Sequence, residues 1–273
     1  MLNLPRSTFY HRPHDKRSCE RDDLEIRELI EKIVYRQPGY GHRRVTKQLH
    51  RDGLIINKKR VLRIMRDHSL LCQIRRAFKV TTNSKHGFRR YPNLAKGFVP
   101  TAPNQLWVAD ITYIRILTAF VYLAVILDVF SRKVIGYALS KSLEKELTLQ
   151  ALRMAIDQRR PPEGCIIHSD QGVQYACDDY VELATLNHLR MSMAARGNPY
   201  ENAMAESFMK TLKAEEVYLW EYETPQDVLE RIPFFIEQVY NADRLHSALG
   251  YIPPDEFEAN FAASLQQKML AGV

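Results

Sequence analysis

The sequence predicts an α/β protein, a mixed sheet flanked by helices, with a small all-helical region ahead of it. Three observations carry this expectation. Strand-like and helix-like runs alternate through residues 101–212, and helical periodicity separated by tight turns fills 22–69. The charge also divides along the chain. Residues 1–100 hold 24 Lys and Arg against 9 Asp and Glu, a net of +15, whereas 101–273 hold 15 against 23, a net of −8. A basic front suits a polyanion, and an acidic rear can collect metal cations.

Each element has its own signal. Leu24, Ile26, Leu29, Ile30, Ile33 and Val34 recur at three- and four-residue steps, which predicts a helix over 22–36. Gln37-Pro-Gly-Tyr-Gly41 breaks it. A second helix is expected from His42 to Arg51, with Val45 and Leu49 four apart. Asp52-Gly53 turns the chain, and Asn57 can cap a third helix running to about Ser69. Val61, Leu62 and Met65 form that helix's apolar stripe, and Lys58, Lys59, Arg60, Arg63 and Arg66 fill much of the rest. Two short helices joined by a tight turn, the second basic, fit a helix-turn-helix over 42–69. A basic helical region is therefore expected over 1–78.

Residues 79–100 read as an extended basic connector with Lys79, Lys85, Arg89, Arg90 and Lys96, punctuated by Pro92, Gly97 and Pro100. Strands are expected at 105–114, 120–129 and 133–140, close enough for antiparallel neighbours. A helix at 143–159, a buried strand at 165–169, a helix near 176–188, a strand at 190–195 and a helix after Asn198 follow. This β-β-β-α-β-α-β-α order is that of ribonuclease-H-like folds. The core is expected to span 101–260, leaving a tail at 261–273.

Composition excludes several classes. The chain has 273 residues, 45% of them apolar, and no low-complexity tract. Its first residues, Met1-Leu-Asn-Leu-Pro-Arg, lack the apolar core of a secretory signal. The longest apolar run, Phe120 to Leu127, is far short of a membrane span. A cytoplasmic protein without membrane contact is expected. Cys19, Cys72, Cys165 and Cys177 form no Cys-x-x-Cys pair, and His11-Arg-Pro-His14 has no matching cysteine pair, so neither disulfides nor structural zinc are expected.

Three carboxylates stand in positions awkward for structural ones. Asp110 interrupts the strand-like run Leu106 to Ile114, Asp170 closes Cys165-Ile-Ile-His-Ser-Asp170, and Glu206 lies one helical turn beyond Asn202. A carboxylate in a buried strand is costly unless it is paired or binds a cation. Three brought together repel one another, and divalent metal relieves that repulsion. Such a constellation is the chemistry of cutting and joining phosphodiesters. Period-2 alternation places Asp110 on one face with Val108 and Thr112. On the last helix Asn198 is a good N-cap, Pro199 fits the first turn and Glu201 completes a capping-box-like pattern. Asn202, Glu206 and Lys213 then fall close to one line, with Met204, Phe208 and Leu212 on an apolar face.

The flanking residues supply the specificity that spacing lacks. Trp107-Val-Ala-Asp-Ile-Thr-Tyr-Ile114, His168-Ser-Asp-Gln-Gly-Val-Gln-Tyr175, Gly197-Asn-Pro-Tyr-Glu-Asn-Ala-Met-Ala-Glu-Ser-Phe208 and Tyr240-Asn-Ala-Asp-Arg-Leu-His-Ser-Ala-Leu-Gly-Tyr251 occur in this order. Together they closely resemble the catalytic subunit of bacterial insertion-sequence transposases of the family numbered three, the second-frame product with a retroviral-integrase-like core. The resemblance covers about residues 25–258. Gly-Tyr-Gly-His-Arg-Arg-Val, at 39–45, resembles the family's helix-turn-helix-like region. The zinc-bound His/Cys domain of retroviral integrases has no counterpart pattern here.

The resemblance implies a DNA transposase that cleaves element ends and transfers a 3′-hydroxyl, with Asp110, Asp170 and Glu206 as catalytic and metal-binding residues. Two Mg²⁺ ions per site are implied, with Mn²⁺ as a substitute. Lys213, Asn202, Arg43, Arg44, Lys58, Lys59, Arg60 and Arg63 are the expected DNA contacts. The expected partners are terminal inverted repeats, target DNA, further copies of this chain, and an upstream-frame product as fusion or partner. Two alternatives stay open: a ribonuclease-H-like nuclease that cuts without joining, and a catalytically idle DNA-binding regulator. His168 is read either as positioning water or phosphate or as bonded within its strand end. Asp128 is expected in a turn or structural ion pair. Arg244 and His246 are open between DNA contact and helix packing, and Trp107 and Tyr113 are expected in the core.

Overall fold

The computed structural model describes residues 16–72, 90–117, 119–195 and 202–270. The chain divides into two compact units, Met1–Ile74 and Arg75–Val273.

The first unit is helical: α1 (Lys16–Arg36), α2 (His42–Arg51) and α3 (Lys58–Asp67). Helix α1 begins six residues before the periodicity announces it, because Lys16 to Arg21 carry no apolar repeat. Ile26, Ile30 and Ile33 form its buried stripe, while Leu24 and Leu29 face outward. They meet Val45 and Leu49 of α2 and Val61, Ile64 and Met65 of α3 in the unit's buried set. Ile64 therefore takes the place expected for Leu62, which is only half-buried. The Asn57 side chain caps α3, accepting from the Lys59 amide at 2.8 Å.

The second unit is built on a five-stranded sheet in the order β3-β2-β1-β4-β5. Strands β1 (Leu106–Arg115), β2 (Phe120–Asp128) and β3 (Val134–Ser140) form an antiparallel meander. Strands β4 (Ile166–Ser169) and β5 (Arg190–Met193) join parallel to β1. The strands follow the sequence expectation to within two residues at each end, and the whole is the ribonuclease-H-like mixed sheet with helices on both faces.

Alternation assigns the faces. Trp107, Ala109, Ala124 and Ile126 point towards α4 (Lys145–Arg159), α5 (Val173–Ala176) and α6 (Asp178–Leu186). Val108, Leu123, Val125 and Leu127 point towards α7 (Ala203–Leu212) and the helical segments after it. Helix α4 approaches β3 so closely that a Cβ at Gly136 would lie 2.3 Å from the Ala151 carbonyl oxygen. Only glycine fits there.

Asn198, Pro199 and Glu201, read as a helix start, lie outside the described residues, as do Lys79, Lys85 and Arg89 of the connector. Its residues 90–100 are irregular and lie against the sheet unit: Tyr91 packs on the core, and the Leu94 amide donates to Ser192 Oγ at 2.8 Å. Helix α7 continues as a π-helical segment, Lys213–Val217. Helix α8 (Pro225–Phe234) starts in a Thr224–Asp227 capping box and contains Pro233, and a second π-helical segment, Phe235–Asp243, follows it. Proline removes one helical donor, and the wider turn succeeds it at once. Helix α9 (Pro254–Leu270) passes without interruption through 260–261, where the sequence reading placed the start of a tail.

Candidate active site

Asp110 leaves β1 on the face that carries α7. Asp170 is the first residue beyond β4. The parallel register pairs Leu106 with Ile166 and Val108 with His168, and carrying the same offset two residues further aligns Asp110 with Asp170. Glu206 projects from the first turn of α7, held to the sheet by buried Ala205, Phe208, Met209 and Leu212.

Asp110 feels the charges of the other two carboxylates. Burial pushes the Asp110 carboxyl up to about 7, and the charges of Asp170 and Glu206 push in the same direction. The Ile111 amide, donating to Asp110 Oδ1 at 2.8 Å, and the Lys213 ammonium oppose this rise. The Gly172 amide donates to Asp170 Oδ1 at 3.0 Å and fixes the turn after β4. Glu206 is drawn towards Lys210, whose Nζ lies 3.4 Å from its carboxylate. Among the described residues no group of three or more His, Cys, Asp or Glu side chains is close enough together to hold a metal ion. The donor set is nevertheless all carboxylate oxygen, the kind hard divalent cations take.

Lys213 sits within electrostatic reach of Asp110. Burial lowers the pKa of its ammonium, against the pull of Asp110, and its Nζ lies 4.9 Å from the centre of the Tyr113 ring. Tyr113 is only half-buried, so it belongs to the rim of the site rather than to the core; Trp107 is fully buried. The buried Asn202 turns its amide inward, donating to the Ala109 carbonyl at 3.1 Å. It ties the start of α7 to the residue preceding Asp110.

The remaining residues read from sequence fall into structural places. His168 is buried, with Nδ1 2.8 Å from Ser192 Oγ on β5. Asp128 accepts from the amides of Asn104, Phe130 and Ser131 and lies 3.5 Å from Arg159, combining turn and ion pair. Arg244, 4% exposed, makes a two-pronged bond to Glu215 at 2.6 and 2.7 Å. His246 packs edge-on against Tyr240. Both serve packing.

Two structural contributors near the site escaped sequence reasoning. Glu215 receives Arg244 next to Lys213. Asn241 pairs both ends of its amide with the Val134 backbone, at 3.0 and 2.9 Å, like an added strand residue. The run Tyr240 to His246 was visible in the sequence, but nothing in it named partners 29 and 107 residues away.

In the front unit Arg43, Lys58 and Lys59 are exposed, and Arg44 lies over the Tyr40 ring. Arg60 and Arg63 instead bind Asp23 of α1, at 2.8 and 2.6 Å. Burial would raise the Asp23 pKa, but these two guanidiniums hold its carboxyl below the usual range.

Comparison with known proteins agrees with this anatomy. Residues 100–199 and 187–254 match families described as "Integrase core domain", and 20–78 match an "HTH-like domain". The insertion element IS600 uncharacterized 31 kDa protein of Shigella sonnei is 40% identical over 267 residues, 96% of this chain and 97% of its own length. The transposase for insertion sequence element IS904 of Lactococcus lactis is 38% identical, over 91% of this chain and 98% of its own. The transposase InsF for insertion sequence IS3A of Escherichia coli is 37% identical, over 80% and 76%. Among solved structures, the simian T-cell lymphotropic virus intasome in complex with PP2A regulatory subunit B56 gamma aligns at TM-score 0.49 and 19% identity, covering 84% of this chain and 74% of that one. The HTLV-2 integrase catalytic core domain in complex with magnesium aligns at 0.45 and 17%, covering 58% and 98%. An integrase core thus follows a helix-turn-helix-like domain in this chain. It belongs to the IS3 family of bacterial insertion-sequence transposases. Among the described residues no helix is long and apolar enough to cross a membrane.

Proposed function

We propose that this chain cleaves DNA at the ends of its own insertion sequence and joins the freed 3′-hydroxyl to target DNA, using Asp110, Asp170 and Glu206. The observation that carries this reading is the β1–β4 register, which aligns Asp110 with Asp170 on neighbouring strands in a chain of this family; the Asp110 carboxyl, raised to about 7 by burial and by the charges of Asp170 and Glu206, accords with it. A buried carboxyl that feels two further acidic charges, one of them just past the end of a parallel strand, calls for a cation. Two Mg²⁺ ions, or Mn²⁺ in their place, held by these carboxylates would supply activation of the attacking oxygen and stabilisation of the leaving one.

The chain's own residues prepare the rest. Asp110 must release its proton to become a ligand, and Lys213 favours that release. Asn202 keeps α7 against β1, so Glu206 and Asp110 stay on one rim. Glu206 must exchange Lys210 for its new partner, a rotation on an exposed face. Lys213 offers a positive charge to the terminal phosphates. Water attacking the end phosphodiester releases the 3′-oxygen as a hydroxyl, and that hydroxyl attacking a second phosphodiester displaces another 3′-oxygen. Each step exchanges one oxygen on phosphorus, so one site serves both.

Target and end recognition fall to the front unit, with Arg43, Lys58 and Lys59 as its exposed cations and Arg44 beside them. Pairing of two ends requires at least two copies of the chain, and an upstream-frame product is the proposed fusion or partner. The test is a strand-transfer assay on end duplexes with Mg²⁺. Asp110→Asn, Asp170→Asn and Glu206→Gln should each abolish cleavage and joining while duplex binding persists. Near-normal joining by any of them removes that residue from the assignment. Cutting without joining by the parent protein would mark a nuclease, and binding alone a regulator.

A further inference from the structure

Around Lys213 and the β1–β2 hairpin, along β1 from Asp110, lies a group of aromatic rings that the reaction as described does not use. Tyr113 and Phe120 face each other across the β1–β2 hairpin, edge to face, with ring centres 5.4 Å apart. Phe120 closes the hairpin directly opposite Arg115 and is 46% exposed. Lys213 covers the Tyr113 ring from the helix side. One turn further on, the Tyr218 amide donates to the Lys213 carbonyl at 2.8 Å, which ends the π-helical segment and brings a second exposed ring, 39% accessible, to the same rim. The Tyr218 phenol is pushed up by burial and by Tyr113, which places the two rings in one neighbourhood.

Phe120 packs one edge on Tyr113 and leaves nearly half of its surface in water. Two exposed rings beside two cations, Arg115 and Lys213, are the composition of a platform for single-stranded nucleic acid, where bases stack on rings while cations meet the backbone. The charge complements DNA and disfavours a hydrophobic protein partner. We propose that Phe120 and Tyr218 form a stacking platform for unpaired nucleotides next to the scissile phosphate, so that the chain prefers DNA ends whose last bases are melted. Tyr113 is the positioning residue that holds Lys213 between this platform and Asp110. The proposal rests on the reading of the carboxylates as the DNA-cleaving site.

The experiment uses the full-length chain and two duplexes of one sequence, fully paired or with a short unpaired tail at one end containing 2-aminopurine. The parent should bind the tailed end roughly tenfold more tightly, as expected for one or two stacked bases, and should quench 2-aminopurine fluorescence. Phe120→Ala and Tyr218→Ala, on different elements, should each bring the tailed-to-paired ratio towards one and restore the fluorescence. Phe120→Trp should keep both effects. Thermal melts report whether each variant is folded, and the other variant decides if one is not. A parent without preference, or folded variants that keep it, overturns the platform. So does a change in sedimentation of the DNA-free variants, which would mean that the rings cover a second copy of the chain. The carboxylate reading is separable: it fails if Asp110→Asn still cleaves, whatever the binding ratio.

Discussion

Asp110 holds two roles in tension. Without a cation, the folded chain keeps its carboxyl protonated up to about pH 7, well above the ordinary range near 3.9. The folded state therefore binds a proton that the unfolded state has already released. Stability from this group is complete below the ordinary range and is lost as pH rises through about 7. Asp110→Asn removes that dependence. In metal-free thermal melts the variant should exceed the parent in Tm at about pH 8, and the difference should shrink towards about pH 5. Mg²⁺ should restore the parent at the higher pH and leave the variant unmoved. A parent whose Tm is flat across this range would contradict the raised Asp110 carboxyl. Asp110 was legible from sequence because a lone acid in a strand of apolar residues has few bland explanations. Arg60 and Arg63 were misleading for the complementary reason. Their partner Asp23 lies 37 and 40 residues away, beyond any local pattern.

Helix α7 and the π-helical segment after it deliver both Glu206 and Lys213, and their hold on the molecule is unequal at the two ends. Among the described residues, Asn202 ties the start to β1 by a hydrogen bond, and at the far end two carboxylates are gripped. Glu215 takes Arg244, and the buried Glu216 takes Arg231 and the Tyr222 hydroxyl, at 2.8 and 2.9 Å. Arg244→Met would take the two-pronged guanidinium away from the nearly buried Glu215 carboxylate, at a cost of up to about 3–5 kcal/mol in chemical denaturation. Arg244→Met with Glu215→Met should recover a large part of this, since the pair as a whole contributes far less than breaking it costs. Equal losses in the single and double variants would mean the pair is not isolated from its surroundings. The strands and α7 could be read from the sequence because a period of two or near four survives in local order. The π-helical segments could not, because they depend on Pro233 and on side chains gripping from elsewhere.

Charge organises the whole molecule. The chain carries a net of +7, and the excess is concentrated in residues 1–100. Only part of that excess is available to DNA, since Arg60 and Arg63 are already engaged. Lys58→Glu with Lys59→Glu should therefore lower the slope of log affinity against log salt by about two for any duplex sequence. Arg60→Ala with Arg63→Ala should instead appear mainly as a lower Tm of the front unit. The reverse pattern would reassign the contacts. At this scale the sequence disclosed the order of domains and the sheet, which follow from composition and periodicity, but not the long-range clamps that complete the site.

The grip of Arg244 and Asn241 on the sheet unit has a consequence for how the protein comes into being. All three carboxylates leave the ribosome well before Tyr240 does, yet the segment that steadies Lys213 and the edge of β3 arrives among the last residues. A nascent chain can therefore form its DNA-binding front and much of its sheet while remaining catalytically idle. The same holds for a copy of the gene that acquires a stop codon ahead of Tyr240. Its product would keep the helix-turn-helix-like front but lack the clamp, and under the proposed function it should bind duplex DNA without cleaving it.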